Sequence, residues 1–267
     1  MTREPNLYEQ LIEWVFDRHW VEGSDDFVFD RTDIELAVEA LGVPRPKNLG
    51  DVLYSFRFRR PLPHSILRRA PNGLHWVIKA NGRASYRFKA VERTNIDPDP
   101  EVQVIQIPDA TPAILRAAAL NDEQALLALV RYNRLIDTFL GLTAYSLQNH
   151  LRTSAEGIGQ AEIDEIYVAV DREGVQYILP VQAKGGSDRI GYTQVDQDLA
   201  VCEQKFPSYV VRPVAVQFMA DGVIALFELT FREGILEVVL ERHYKLSNQV
   251  EPSSVEEVLS RRLSNGR

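Results

Sequence analysis

Two apolar runs with period-two alternation, Ile163 to Val170 and Val175 to Ala183, are the clearest pattern in the chain. Both are rich in Ile, Val and Tyr, and Asp171-Arg172-Glu173-Gly174 supplies turn chemistry between them, so they read as paired strands. Alternation puts Glu162 and Asp164 on one face of the first strand, and Gln182 and Lys184 on one face of the second. Helical spacing of apolar residues predicts helices over 33–41, ended by Gly42, over 49–58, and over 122–140. Further helices are predicted over 143–151, over 192–206 up to Pro207, and over 252–267, with a short one at 64–69. Strands are predicted at 74–80 and 83–90 around Asn81-Gly82, a hairpin signal, and at 210–219, 223–229 and 235–241. The Pro-rich stretch 95–112 reads as an extended connection in which 102–107 alternates like an edge strand. This order of elements predicts an α/β sandwich with a mixed sheet, preceded by a mainly helical part, the boundary falling near Asp97 (1–97 and 98–267).

The two paired strands gather an acid, an amide and an ammonium, a set suited to phosphodiester hydrolysis. Asp164 and the side-chain carbonyl of Gln182 are hard oxygen donors for Mg²⁺, which takes one or two carboxylates and fills its shell with water and phosphate oxygens. Lys184 would orient the nucleophile or offset developing charge. The bland reading is that Asp, Glu and Lys are ordinary solvated residues at strand ends and that Gly185-Gly186 is only a turn. Same-face placement on adjacent strands favours chemistry.

Asp164 on one strand and Gln182-Ala183-Lys184 at the end of the next resemble the motif of the PD-(D/E)xK nuclease superfamily, in the Gln-x-Lys form of Mrr-like restriction endonucleases. The resemblance covers roughly residues 121 to 231. It implies a restriction-endonuclease-like core, a mixed sheet flanked by helices, with Asp164 as the metal-binding acid, Gln182 where most members carry Asp or Glu, and Lys184 as the catalytic lysine. Mg²⁺ is the implied cofactor, with Mn²⁺ as a substitute. Two positions depart from the pattern: Ile163 stands where a Pro is usual, and Gln182 brings no charge to the dication. Glu162, on the face of Asp164, is the preferred compensating acid; Glu165, or Asp137 from the preceding helix, are alternatives.

The charge distribution points to a polyanionic partner. The whole chain carries a net charge of -8, yet residues 45 to 93 hold twelve Lys and Arg against Asp51 and Glu92, a local +10 that leaves -18 for the rest. Helices followed by a two-stranded ribbon resemble a winged-helix DNA-binding domain, with Arg57, Arg59, Arg60, Arg68 and Arg69 near the recognition element and Lys79 and Arg83 on the wing. Arginines on such a surface are also often only solubilising. Trp14, Trp20 and Trp76 fit a packing role better than base stacking.

Composition narrows the remaining classes. With 267 residues and 45% hydrophobic content there is material for one large or two modest domains. The single cysteine, Cys202, rules out an internal disulfide and any cysteine-based zinc site. No stretch is long and apolar enough for a membrane span, and the polar beginning is unlike a secretory signal, so a cytoplasmic protein is expected. The five histidines lack metal spacing, and no phosphate-binding Gly-x-x-x-x-Gly-Lys-Ser/Thr loop occurs.

Together these features predict a Mg²⁺-dependent endonuclease of double-stranded DNA, of the restriction type. It would act as a homodimer, since cutting two strands with one site per chain calls for two chains. A repair or junction-resolving nuclease of the same fold, or a DNA-binding regulator that has lost metal competence, are the alternatives.

Overall fold

The computed structural model describes residues 5–118, 122–185 and 188–248. It opens with helix α1 (Leu7–His19), started by a reciprocal cap in which the Asn6 side chain accepts from the Glu9 amide and the Glu9 carboxylate accepts from the Asn6 amide. Strand β1 (Asp26–Asp30) and helix α2 (Thr32–Leu41) follow. Gly42 ends α2 in a left-handed conformation, φ 63°, that a side chain would strain. Helix α3 (Leu49–Tyr54), capped by Asn48, runs on as one π turn over Ser55–Arg59. Helix α4 (His64–Leu67) leads to strands β2 (His75–Ala80) and β3 (Ser85–Val91).

These strands make an antiparallel sheet in the order β1-β3-β2. Leu11, Phe16, Ile34, Leu53, Ile66 and Phe88 fill its core, and the Phe16 and Phe88 rings meet edge to face at 5.0 Å. Trp76 is buried there, and Trp14 and Trp20 pack at its margin. Strand β1 lies outside the elements legible in the sequence, because its five residues are too short for a decisive pattern and depend on β3 for pairing. At the hairpin tip the loop is four residues long, Asn81 to Ala84, rather than a two-residue Asn-Gly turn; Ala84, with φ 59°, takes the extra left-handed position.

The connection supplies β4 (Asn95–Ile96) and β5 (Val104–Pro108), the latter the edge strand its alternation predicted. Helices α5 (Ala113–Ala118), α6 (Glu123–Tyr132) and α7 (Leu135–Leu140) precede the long strands β6 (Thr143–Ala155), β7 (Gly159–Val170) and β8 (Gln176–Lys184). The two-residue β9 (Ile190–Gly191) enters α8 (Tyr192–Lys205), after which come β10 (Val210–Val211), β11 (Val214–Phe218), β12 (Val223–Arg232) and β13 (Ile235–Ser247). The mixed sheet runs β5-β13-β12-β11-β8-β7-β6, with β10 beside β8. Strand β11 is parallel to β8 across the α8 crossover, and β6-β7-β8 form an antiparallel meander.

Helices α6 and α7 cover one face of this sheet through Leu126, Leu127, Val130, Ile136 and Phe139. Each such side chain contributes about 1.5–3 kcal/mol on leaving water. Helix α8 covers the other face with Val201 and Cys202, whose thiol burial pushes its pKa up to about 12. Among the described residues no helix is long and apolar enough to cross a membrane.

Two helix expectations are corrected. Residues 143–151 are strand, because they pair with β7 along its length and bury almost nothing on a helical stripe. The helix expected over 122–140 is two, divided where Arg134 adopts φ 48°. Likewise Arg212-Pro213 separates β10 from β11 in the stretch predicted as one strand. The terminal helix expected over 252–267 lies outside the described residues.

Candidate active site

Strands β7 and β8 separate at the motif. Their ladder runs from Val170 opposite Gln176 to Glu165 opposite Val181 and stops there. Beyond it β7 continues beside β6 alone, while β8 continues beside β11 as far as Lys184 opposite Gln217. Asp164 is the first residue past the split, and its carboxylate accepts the Ala183 amide at 2.9 Å, replacing the missing ladder bond. The fork therefore holds the acid against the backbone of the Gln-Ala-Lys segment.

Burial raises the Asp164 pKa; the Ala183 amide and Lys184 oppose the shift, and the neighbouring charge of Glu123 adds to it. Lys184 is largely buried, and its ammonium lies 3.0 Å from the Glu123 carboxylate. Glu123 is the first residue of α6, where the helix N-terminus favours an acid. Asp164, Lys184 and Glu123 thus form one electrostatic group, with a second carboxylate supplied by a helix as the sequence reading allowed. The residue is Glu123, not Asp137, which instead pairs with Arg134 and accepts the Ala144 amide at 3.0 Å.

Gln182 is 2% exposed, and each end of its side chain makes one hydrogen bond. Its amide donates to Asp198, and its carbonyl accepts from Gln194 at 2.6 Å, both partners on α8. Burial raises the Asp198 pKa well above the usual carboxylate range, the Gln182 amide lowers it, and Asp164 raises it further. The amide side chain is therefore fixed by the helix before any ligand arrives. Glu162 shares the strand face of Asp164 but sits farther out, 3.2 Å from Arg152 and 3.5 Å from His150. Glu165 is on the opposite face, fully buried, and bonded to Arg131 and Ser146.

Seven basic residues were expected to meet DNA, and the structure divides them. Arg59, Arg60, Arg68 and Arg83 are exposed. Arg57 is turned inward: it donates to Gln197 of α8 at 3.0 Å and lies 4.6 Å over the Phe58 ring, and desolvation lowers its pKa. Lys79 binds Asp196 of α8 at 2.8 Å. Arg69 pairs with Asp17 and covers Trp20 at 5.1 Å. These three hold the fold together, so the basic count of the sequence overstates the free positive surface.

Of the exposed arginines, Arg59 and Arg60 border a cleft that reaches Lys184. The cleft, of about 840 Å³, is bordered on one wall by Phe58, Arg59 and Arg60, and on the other by Lys184, Arg189 and Gln194.

Glu123 and Asp198 were missed in the sequence, for different reasons. Glu123 looks like any acid in a first helical turn. Asp198 left a usable signal: it falls between Val195 and Val201-Cys202 on the apolar stripe of α8, where a carboxylate is out of place unless a buried polar partner awaits it. Among the described residues no cluster of three or more His, Cys, Asp or Glu is placed to hold a metal ion. No protein-family model matches the chain, and neither a curated protein nor a solved structure matches it significantly.

Proposed function

We propose that the protein is a metal-dependent DNA endonuclease, built from a PD-(D/E)xK-like catalytic part and a winged-helix-like part. The observation that carries the reading is the fork: Asp164, Lys184 and Glu123 meet where β7 leaves β8. The path of the chain agrees with it. A helix, a three-stranded meander, a crossover helix and a strand parallel to the third follow the order expected of that core. The α1-β1-α2-α3-α4-β2-β3 order with a β1-β3-β2 sheet likewise suits a winged helix.

The donor chemistry fits a magnesium ion. Two carboxylates, Asp164 and Glu123, stand close enough to repel, and burial already disfavours the Asp164 charge, so a dication there relieves both costs. Asp164 and Glu123 would hold it, with Gln182 offering the second lone pair of its carbonyl. Bound Mg²⁺ supplies polarisation of the phosphate and a more acidic water. Lys184 contributes a fixed positive charge beside the scissile group, and Gln194 and Asp198 position Gln182. Host defence of the restriction type is the role that the motif resemblance favours.

A second reading has its own support. Both polar ends of Gln182 are already bonded within the protein, and the site brings one carboxylate fewer than the usual motif. This favours a DNA-binding protein without catalysis. Asp164→Ala separates the two: in the nuclease it abolishes cleavage and spares binding, whereas a silent binder shows no cleavage to lose.

A further inference from the structure

The ladder between β6 and β7 turns over beside the fork. Asn149 pairs with Glu165 and Leu151 with Ile163, while His150 and Asp164 between them form no pair. In a regular ladder these two pairs, two residues apart, would share a face of the sheet. They lie on opposite faces. Arg131 of α6 bonds Glu165 at 2.9 Å and Asn149 at 3.0 Å, which puts the first pair on the α6 side. Leu151 and Ile163 pack in the cluster of Val201 and Cys202, on the α8 side. Ile166 joins that same cluster three residues after Ile163, an odd spacing that requires the strand to switch face between them.

Asp164 stands at the switch. Counted from Glu162 it belongs to one face, and counted from Ile166 to the other. Its carboxylate turns along the sheet instead and accepts the Ala183 amide of β8 at 2.9 Å. Of residues 149–151 and 163–165, His150 alone has a positive φ, 47°. A left-handed residue reverses the direction of a strand's faces, and β7 follows β6 across the ladder. Such a φ is costly for most residues with a side chain, and His is among those that adopt it more often. The imidazole itself is held weakly: it is half exposed, and Nδ1 lies 3.5 Å from Glu162, which is also paired with Arg152. Burial is the main influence on the Asp164 pKa, and a charge on His150 opposes it, as expected of two residues facing each other on adjacent strands.

We propose that His150 is a positioning residue: its left-handed backbone turns the β6–β7 ladder over and so directs the Asp164 carboxylate into the fork. The effect on cleavage rests on the nuclease reading, whereas the placement of Asp164 does not. The role belongs to the backbone, so glycine can fill it and an extended residue cannot.

The test compares His150→Gly, which takes this φ freely, with His150→Val, whose branched side chain opposes it, and His150→Pro, whose ring forbids it. Strand β6 is an edge of the sheet, where proline is tolerated. Hydrogen exchange is followed by NMR on the full chain labelled with ¹⁵N-alanine, with Asp164→Ala as the reference for a released Ala183 amide. Protection of Ala183 should fall at least about tenfold in the Val and Pro variants and stay within about threefold of wild type in the Gly variant. The Ala90 amide, bonded to Asp25 in the N-terminal sheet, reports that each variant is folded; if Pro fails there, Val carries the comparison. Single-turnover cleavage in Mg²⁺ should drop at least about tenfold with Val and Pro and be rescued by Gly, with DNA affinity in EDTA unchanged throughout. Wild-type protection of Ala183 in the Val and Pro variants overturns the proposal. So does its loss in the Gly variant, which would assign the role to the imidazole, or cleavage undiminished when protection is lost. If the wild type cuts no DNA, the nuclease reading fails and the exchange data still decide what places Asp164.

Discussion

Asp198→Asn probes the carboxyl that holds Gln182 in place. Asp198 is 2% exposed, and burial pushes its pKa well above the ordinary value. An unfolded Asp loses its proton near pH 3.9. Between that value and the raised native one, the folded state keeps a proton that the unfolded state has released. Unfolding stability then falls as pH rises, by about 1.4 kcal/mol per pH unit, and becomes level again above the native pKa. Asparagine has nearly the same shape and can still accept from the Gln182 amide, but it does not titrate. Urea denaturation of both proteins from pH 4.5 to 8 isolates the effect, because the remaining titrations are shared. The variant should gain on the wild type by about 1.4 kcal/mol per unit from the acid side and then hold a constant lead. A difference that stays flat across the range would show that Asp198 is ionised as in water, and the account of a neutral buried support for Gln182 would fall.

Three further outcomes follow from the packing. Arg131→Ala should cost about 3–5 kcal/mol, since it strands the fully buried Glu165 carboxylate, whereas Glu165→Ala should cost less because the partly exposed Arg131 can turn to water. Equal losses in thermal or urea unfolding would contradict that asymmetry. Arg57→Ala should destabilise by about 1–3 kcal/mol and show coupling to Gln197→Ala in a double-mutant cycle, with the salt slope of DNA binding unchanged; a slope lowered by about one would make Arg57 a phosphate contact after all. Leu126→Ala, under the sheet, should cost about 2–5 kcal/mol, and a loss below 1 kcal/mol would mean the α6 face is loosely packed.

The strands around the motif were legible from their runs of Ile, Val and Tyr and the turn residues between them; β7 alternates only in part, and β8 is buried without a break from Ile178 to Ala183 because it lies inside the sheet. What alternation cannot show is which neighbour a side chain prefers. Gln182 points to α8 and Glu123 arrives from α6, contacts made across 16 and 61 residues of sequence. The error at 143–151 has the same origin: an edge strand open to solvent loses its apolar face, so its only mark is the pairing with β7. In the N-terminal part, charge counting located a basic region but could not separate Arg59 and Arg60, which are exposed, from Arg57, Lys79 and Arg69, whose charges are spent on internal contacts.

The central claim, that the fork of β7 and β8 is a hydrolytic centre, is tested most directly by incubating wild type and Lys184→Ala with plasmid and single-stranded DNA in Mg²⁺ or Mn²⁺. The account predicts metal-dependent cleavage by the wild type, lost in the variant while DNA binding persists. Cleavage undiminished in Lys184→Ala, or none by the wild type on any DNA, would contradict it.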